Sequence, residues 1–174
     1  MMIQIVVRVA ELVDDQYGNY LLQHLLQLND HSISKTIHNT LKGRYRELSK
    51  HKFSSNVVEK TMLSGFSDIR SEVLGELICP DEMVDLLQDS YGNYVMQNAL
   101  SLVEGDQALA LIRVIYSCID SLRKKIQKKW EKLLKTAAFR VTGSEDLDAI
   151  VAMSKKVSTP ASSAWKQPQK RVKS

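Results

Sequence analysis

The sequence contains only two cysteines, Cys79 and Cys118, and neither belongs to a Cys-x-x-Cys pair. A disulfide framework or a cysteine-based zinc site needs further cysteines at short spacing, so both are excluded and we expect two reduced thiols. No apolar run approaches the roughly 20 residues that a membrane-spanning helix needs. The apolar residues 1–13 are interrupted by Gln4 and Arg8, which favours part of a helix over a signal peptide. We therefore expect a cytoplasmic protein, with the nucleus or nucleolus as the alternative, and no membrane partner.

Proline and aromatic residues are also scarce, with three prolines and 6% aromatic residues in 174. The helix-favouring residues Leu, Lys, Glu, Gln and Ala are frequent, and the apolar–polar alternation typical of strands is hard to find. Hydrophobic residues make up 44% of the chain, which is enough for a buried core. The composition predicts an all-α fold.

Residue patterns that carry catalysis are missing as well. The sequence has no glycine-rich phosphate loop, no Ser/His/Asp or Cys/His set and no arrangement of paired carboxylates. His24, His31 and His38 recur every seven residues, as metal ligands on one long helix could, but Asn29 and Asp30 are expected to break such a helix. We expect surface histidines, no metal or other cofactor, no small-molecule substrate and no enzymatic activity.

The charges are distributed unevenly along the chain. Residues 1–120 carry ten Lys/Arg and sixteen Asp/Glu, whereas residues 121–140 carry eight basic residues and one acidic residue. Residues 154–174 add six basic residues and no acidic one. A basic C-terminal part suits contact with an acidic polymer, but a solvated helix and tail can have the same composition, so charge alone decides nothing.

Three segments of the chain align with one another without gaps, at residues 12–23, 48–59 and 86–97. They begin 36 and then 38 residues apart, within the range of helical repeats in which each unit stacks on its neighbours. In each unit a helical pattern follows an aromatic and a small residue, namely Tyr17 and Gly18, Phe53 and Ser54, and Tyr91 and Gly92. The repetition predicts an α-solenoid.

Each of these helices carries three polar or aromatic positions on the face opposite its apolar stripe. At 100° per residue the three positions fall within a roughly 100° arc, while Leu21, Leu22, Leu25 and Leu26 of the first helix fall on the other side. The three sets, which we call the first, second and third trio, are Asn19, Tyr20 and Gln23; Ser55, Asn56 and Glu59; and Asn93, Tyr94 and Gln97. Stacked units should bring the trios onto one continuous surface.

Further helices complete each unit. We expect them near residues 32–41, 66–78 and 106–118, with short helices near 44–49 and 81–88. Residues 119–138 form a basic amphipathic stretch that we expect to cap the last unit. The predicted repeat domain covers residues 1–139, with repeats at about 1–43, 44–79 and 80–118 and a cap at 119–139. Residues 140–174 are expected to form a flexible basic tail.

The trios resemble the base-reading positions of the Pumilio (PUF) family, in which each repeat contacts one RNA base. The first and third trios look like the family's uracil-reading set, and the second trio resembles its guanine-reading set. Residues 119–124 and 130–138 also resemble the family's C-terminal cap. The resemblance covers about residues 9–138.

The chemistry of the side chains fits these assignments independently of the family. The pairing edge of uracil has carbonyl acceptors beside an N–H donor, and the amides of Asn and Gln offer both a donor and an acceptor. Guanine presents two adjacent N–H donors, which the carboxylate of Glu59 can accept as a pair. Tyr20 and Tyr94 supply flat faces for stacking, worth about 1–3 kcal/mol per base, and Asn56 is a smaller platform.

The resemblance implies a right-handed superhelix of three-helix repeats, similar to armadillo and HEAT solenoids, of which this chain forms a partial crescent. Family members usually carry eight repeats, and three are recognisable here. In the family the protein runs antiparallel to the RNA, so the third, second and first trios would read 5'-UGU. The resemblance also implies binding to 3' untranslated regions, control of translation or stability of messenger RNA, and regulatory protein partners. With three bases bound, we expect roughly micromolar affinity or weaker.

Two other functions remain as alternatives at this point. A helical-repeat scaffold could use the same surface to bind proteins, since Gly-Asn turns and packed tyrosines also recur in such repeats. A sequence-independent RNA binder of the ribosome-assembly kind would hold RNA through basic residues. That class predicts Lys or Arg at the trio positions, where this sequence has amides, a hydroxyl and a carboxylate.

Overall fold

The computed structural model describes residues 8–154 of the chain, and every regular element in that range is helical. In chain order the helices are α1 (residues 8–12), α2 (Gly18–Gln27), α3 (His31–Leu41), α4 (Tyr45–Ser49), α5 (Ser54–Leu63), α6 (Ser67–Leu77), α7 (Pro80–Gln88), α8 (Gly92–Leu102), α9 (Gly105–Ser117), α10 (Lys124–Thr142) and α11 (Leu147–Ser154), with a short 3-10 helix at Ile119–Ser121. The all-α prediction is confirmed.

The helices stack in a repeating order. The trio helices α2, α5 and α8 pack on one another in turn, and α3, α6 and α9 each pack against the trio helix of their own unit. The short helices α4 and α7 lie against α5 and α8, and α10 covers the far end by packing on α8 and α9. This is the predicted α-solenoid, and it places the three trio helices side by side.

The apolar stripes of the trio helices are buried in α5 and α8 as predicted, whereas the stripe of α2 is only partly buried. Leu22 and Leu26 are buried, but Leu21 is 46% exposed. Val57 and Val95 occupy the position of Leu21 in α5 and α8, and both are fully buried. The difference follows from stacking, because α5 packs on α2 and α8 packs on α5. Within residues 8–154, α2 has no earlier trio helix to pack on.

His38 departs from the expectation of surface histidines. Its ring is fully buried on the inner side of α3, with Nδ1 2.9 Å from the hydroxyl of Tyr45 and Nε2 3.0 Å from Oε2 of Glu72. Glu72 also accepts hydrogen bonds from the ammonium groups of Lys35, at 2.9 Å, and Lys42, at 2.6 Å. A polar ring can be buried where both nitrogens find partners, and those partners come from α4 and α6.

The predicted break between α2 and α3 is present. Asn29 adopts a left-handed conformation with φ of 52°, and the carboxylate of Asp30 accepts the backbone N–H of Ile33 at 2.9 Å, which caps α3. Cys79 and Cys118 are free thiols. Within residues 8–154, no three potential metal ligands cluster together and no helix is long and apolar enough to cross a membrane.

The predicted flexible tail is wrong for residues 140–154. α10 continues past residue 140 and ends before Gly143, whose φ of 74° is the left-handed conformation that glycine readily adopts at helix ends. α11 then packs on α9 and α10, with Leu147 and Ile150 buried. This apolar pair gives α11 a face to bury against the two longer helices. The rest of the predicted tail, residues 155–174, lies outside the described residues.

Candidate nucleic-acid interface

Each trio helix begins at the small residue of the repeated sequence pattern. A Cβ added to Gly18 would lie 2.8 Å from the carbonyl oxygen of Leu12, and one added to Gly92 would lie 2.6 Å from Cδ1 of Leu86. In α5 the hydroxyl of Ser54 instead donates a 2.9 Å hydrogen bond to a carbonyl of the preceding short helix. The trio helix therefore starts in close contact with the helix before it, and only a very small residue fits there.

An aspartate fixes the start of α2 and of α8. The Oδ1 atom of Asp15 accepts the backbone N–H groups of Tyr17 and Gly18 at 2.9 and 2.6 Å, and Asp89 makes the two equivalent bonds, both 2.8 Å long. These bonds, first that from Gly18, hold the pKa of Asp15 below its usual value. The middle unit has His51 at this position. The first turns of α2 and α8 are thus set by local hydrogen bonds.

The middle member of each trio is the most exposed. Tyr20 is 68% exposed, Tyr94 is 57% exposed, and Asn56 is also exposed. The first members lie deeper, with Asn19 1% and Ser55 4% exposed. The remaining members are half-buried: Gln23, Glu59, Asn93 and Gln97. A flat ring lying against a middle member would therefore point its edge at the deeper ones.

The burial of Asn19 has a local cause. Its Nδ2 donates to two backbone carbonyls just before α2, at 2.9 and 3.0 Å, and its Oδ1 accepts from Nε2 of Gln23 at 2.9 Å. The third trio repeats this arrangement, with two bonds from Asn93 to the backbone and Gln97 donating to Asn93 at 2.8 Å. In both trios the asparagine nitrogen therefore donates to the backbone, and the glutamine nitrogen donates to the asparagine oxygen.

An open cavity of about 380 Å³ lies between the second and third trios. All of the second trio lines it, together with Tyr94 and Gln97 of the third. The other lining residues are Lys52, Tyr91 and Asn98. Its volume is at the lower end of the range for small-ligand sites. The arrangement can hold a planar ring between Asn56 and Tyr94 with its polar edge toward Glu59.

The acid of this cavity is Glu59, which is half-buried. Burial raises the pKa of Glu59, and a hydrogen bond from Asn98 opposes this rise. That bond is short, 2.6 Å from Nδ2 of Asn98 to Oε2 of Glu59. Since a carboxylate has about four acceptor positions, one bond to Asn98 leaves room for two adjacent N–H donors.

The third trio has a neighbour from the cap. Lys129 of α10 donates from Nζ to Oδ1 of Asn93 at 2.9 Å, and the same atom lies 5.1 Å from the centroid of the Tyr94 ring. Both contacts are favourable for an ammonium group, since it approaches an acceptor oxygen and the face of an aromatic ring. The cap therefore brings a positive charge directly to the third trio.

Comparison with known proteins identifies the repeats. The sequence profile of the Pumilio-family RNA binding repeat matches residues 8–35, 44–78 and 82–116, which is more than half of the chain. The chain belongs to the Pumilio family. The matched segments contain α2, α5 and α8 respectively, so each match includes one trio helix.

Individual relatives extend this result. The chain is 32% identical over 163 residues to the Pumilio domain-containing protein C6G9.14 of Schizosaccharomyces pombe, covering 91% of this chain and 23% of that protein. It is 38% identical over 112 residues to Pumilio homolog 12 of Arabidopsis thaliana, covering 64% of this chain and 19% of that protein. This Pumilio chain thus spans about a fifth to a quarter of the length of these two relatives.

Two solved structures show the same fold. The Puf3 RNA binding domain bound to a Cox17 RNA 3' UTR recognition sequence superposes with a TM-score of 0.64 and 26% identity, over 75% of this chain and 43% of that one. The RNA-binding domain of yeast Puf5p bound to SMX2 RNA superposes with a TM-score of 0.61 and 25% identity, over 78% and 45%. The prediction of a Pumilio-type solenoid is confirmed by these matches.

Three residues of the Pumilio interface were not indicated by the trio pattern. Asn98 directly follows the third trio and reaches back to Glu59, and Tyr91 lines the same cavity. Lys129 lies 36 residues after Asn93, which is the spacing of the first two repeats. Extending the repeat period into the cap would have indicated Lys129. Nothing in the sequence signals the contact of Asn98, because it depends on how two units stack.

Proposed function

We propose that this chain binds single-stranded RNA with one base per repeat and that it reads the sequence 5'-UGU. The observation that carries the proposal is the cavity between α5 and α8, which brings Ser55, Asn56 and Glu59 together with Tyr94. Guanine fits this chemistry, since its two adjacent N–H donors match a carboxylate and its flat ring matches the space beside Tyr94. Uracil suits the Asn and Gln amides of the first and third trios.

The related proteins support a role on messenger RNA. The Puf3 domain in the superposed structure is bound to a 3' UTR recognition sequence. We extend this to the present chain as binding to 3' untranslated regions in the cytoplasm, with post-transcriptional control of translation or stability and with regulatory protein partners. The matching profile is that of an RNA-binding repeat, and binding RNA requires no catalytic step.

The proposal is tested by fluorescence anisotropy with short labelled RNAs that carry UGU, UAU or a scrambled core, at one fixed salt concentration. We expect UGU to bind about 5- to 150-fold more tightly than UAU, since losing a bidentate contact costs about 1–3 kcal/mol. Equal affinities for the three RNAs would overturn base reading and favour a protein scaffold or a sequence-independent RNA binder.

A substitution links the preference to the cavity. Glu59→Gln keeps the size of the side chain but removes the paired acceptor, so we expect the UGU-over-UAU ratio to fall while the helical circular dichroism is retained. Glu47→Gln is the matched control, because Glu47 is exposed on α4 and does not line the cavity. If Glu59→Gln unfolds the domain, Glu59 is a structural residue and its assignment to guanine is wrong.

A further inference from the structure

Four lysines of the cap lie on one face of α10. Lys125, Lys128, Lys129 and Lys132 are all exposed, and at 100° per residue they fall within a roughly 100° arc. The opposite face carries the buried residues of this helix: Trp130, Leu134, Ala137 and Ala138. The four lysines therefore form a continuous basic surface on the outside of the cap, which we call the lysine face.

None of these four ammonium groups has a carboxylate within 4.0 Å among the described residues, in contrast to several cations elsewhere. For example, Lys35 on α3 and Lys42 just after it both pair with Glu72. Like charges four residues apart on a helix repel each other, so the lysine face destabilises α10. A bound polyanion would remove this repulsion.

The lysine face is joined to the proposed RNA site by contact. Lys129 lies near the centre of the lysine face. It donates a hydrogen bond to Asn93 and lies over the ring of Tyr94, and both of these residues belong to the third trio. Lys125 and Lys132 stand about one turn before and after it, so the face spans roughly 10 Å along the helix. An RNA strand leaving the third trio in the direction of the cap meets positive charge at once.

We propose that the lysine face binds the phosphate backbone of the RNA next to the base held by the third trio, independently of the bases there. The inference rests on the proposed function, since the third trio must hold the 5' base of the triplet for the cap to meet the strand on its 5' side. Lysine suits this role because an ammonium group is a strong point donor to phosphate and carries no base information. The cap thus lengthens the RNA contact beyond the three repeats.

The test compares labelled RNAs with a UGU core and six added nucleotides on either the 5' or the 3' side. We expect the 5' extension to raise affinity more than the 3' extension. For two neutralising contacts on a single strand, this advantage should shrink about 7-fold between about 50 and 200 mM salt. A 5' extension with an uncharged methylphosphonate backbone should give no advantage.

Two double variants assign the effect to the lysine face. The variant Lys125→Gln with Lys132→Gln keeps Lys129, which contacts the third trio. In this variant we expect the advantage of the 5' extension to be lost. The slope of log affinity against log salt should fall by about 1.4. Lys35→Gln with Lys42→Gln removes the same charge at α3 and the residue that follows it, and should keep the advantage, which controls for net charge.

The outcomes separate the inference from the function on which it rests. Equal gains from 5' and 3' extensions, a gain that depends on the added bases, or equal losses in both double variants would overturn the lysine face. Preference for UGU over UAU would then still support base reading by the repeats. If no RNA is preferred over a scrambled one, both proposals fall.

Discussion

The amide of Asn98 donates a 2.6 Å hydrogen bond to the carboxylate of Glu59, across the junction between the second and third repeats. The two residues are 39 positions apart and belong to α8 and α5. Through this bond, the unit proposed to read uracil orients the acid proposed to read guanine. Neighbouring base sites are therefore not independent, since a change at Asn98 alters the acceptor of the adjacent site.

The first prediction concerns pH. Glu59 must be ionised to accept two N–H groups, so preference for guanine should be lost as the pH falls through the pKa of Glu59. Burial raises that pKa, so the loss should begin at a less acidic pH than for an exposed glutamate. Asn98→Ala removes the bond that opposes the rise, so the midpoint of the loss should move to higher pH. Anisotropy titrations with UGU and UAU across the acidic range measure this.

Lys60→Ala is the matched control for Asn98→Ala. Lys60 follows the second trio as Asn98 follows the third. The unit before that of Asn98 carries Glu59, whereas the unit before that of Lys60 carries Gln23, which does not titrate. Its midpoint should stay at that of the unchanged protein. A midpoint for Asn98→Ala that stays in place or moves to lower pH would contradict an ionised Glu59 held by Asn98.

The second prediction concerns stacking. Tyr94→Ala should weaken binding of UGU and UAU RNAs alike by about 5- to 150-fold, since loss of base–aromatic stacking costs about 1–3 kcal/mol and tolerates any base. Tyr94→Phe keeps the flat ring and should bind nearly as well as the unchanged protein. If the phenylalanine variant binds as poorly as the alanine variant, the hydroxyl rather than the ring carries the contact.

The third prediction concerns Glu72, the acceptor shared by Lys42, His38 and Lys35. These three partners, in that order of effect, lower the pKa of Glu72 from 4.5 to about 2. A depressed pKa stabilises the fold above the unfolded value and loses this effect as the pH falls through the folded value. The free energy of unfolding of the unchanged protein should therefore drop between about pH 4.5 and pH 2. The drop in the unfolding free energy of Glu72→Gln over the same range should be smaller.

Urea denaturation followed by circular dichroism measures that difference. At about pH 7 we expect Glu72→Gln to be less stable by about 1 kcal/mol, below the usual range for a charged hydrogen bond because Glu72 is 35% exposed. The gap should close near pH 2. Glu145→Gln, at an exposed position, should follow the unchanged protein throughout. A gap that persists at low pH would show that packing, not charge, is responsible.

The fourth prediction compares two glycines in helices. A Cβ at Gly92 would lie 2.6 Å from Cδ1 and 3.0 Å from the carbonyl oxygen of Leu86, whereas one at Gly75 in α6 would meet nothing within 4 Å. Gly92→Ala should therefore lower the unfolding free energy, because α7 and α8 must separate. Gly75→Ala should raise it by about 0.5–1 kcal/mol, the helix preference of Ala over Gly. Urea denaturation of both variants decides, and equal effects would contradict the close approach of α7 and α8.

Most of the secondary structure could be predicted from sequence because the signals are local. The apolar spacing, the small residue at the start of each trio helix and the break at Asn29 and Asp30 each act within a turn of chain. The helix predicted near residues 32–41 is observed at His31–Leu41. α11 was missed because it is short and follows the polar residues 142–146, and because its packing on α9 and α10 is a tertiary contact.

The sequence by itself determined the repeat and the positions of the nine trio residues on their helices, because these follow from residue type at a fixed helical spacing. Only the tertiary structure decided that His38 is buried against Glu72, that Asn98 holds Glu59 and that Lys129 meets the third trio. These contacts join residues about one repeat apart. Their distances depend on how one unit rotates and slides on the next, and the periodicity within a unit carries no information on that stacking.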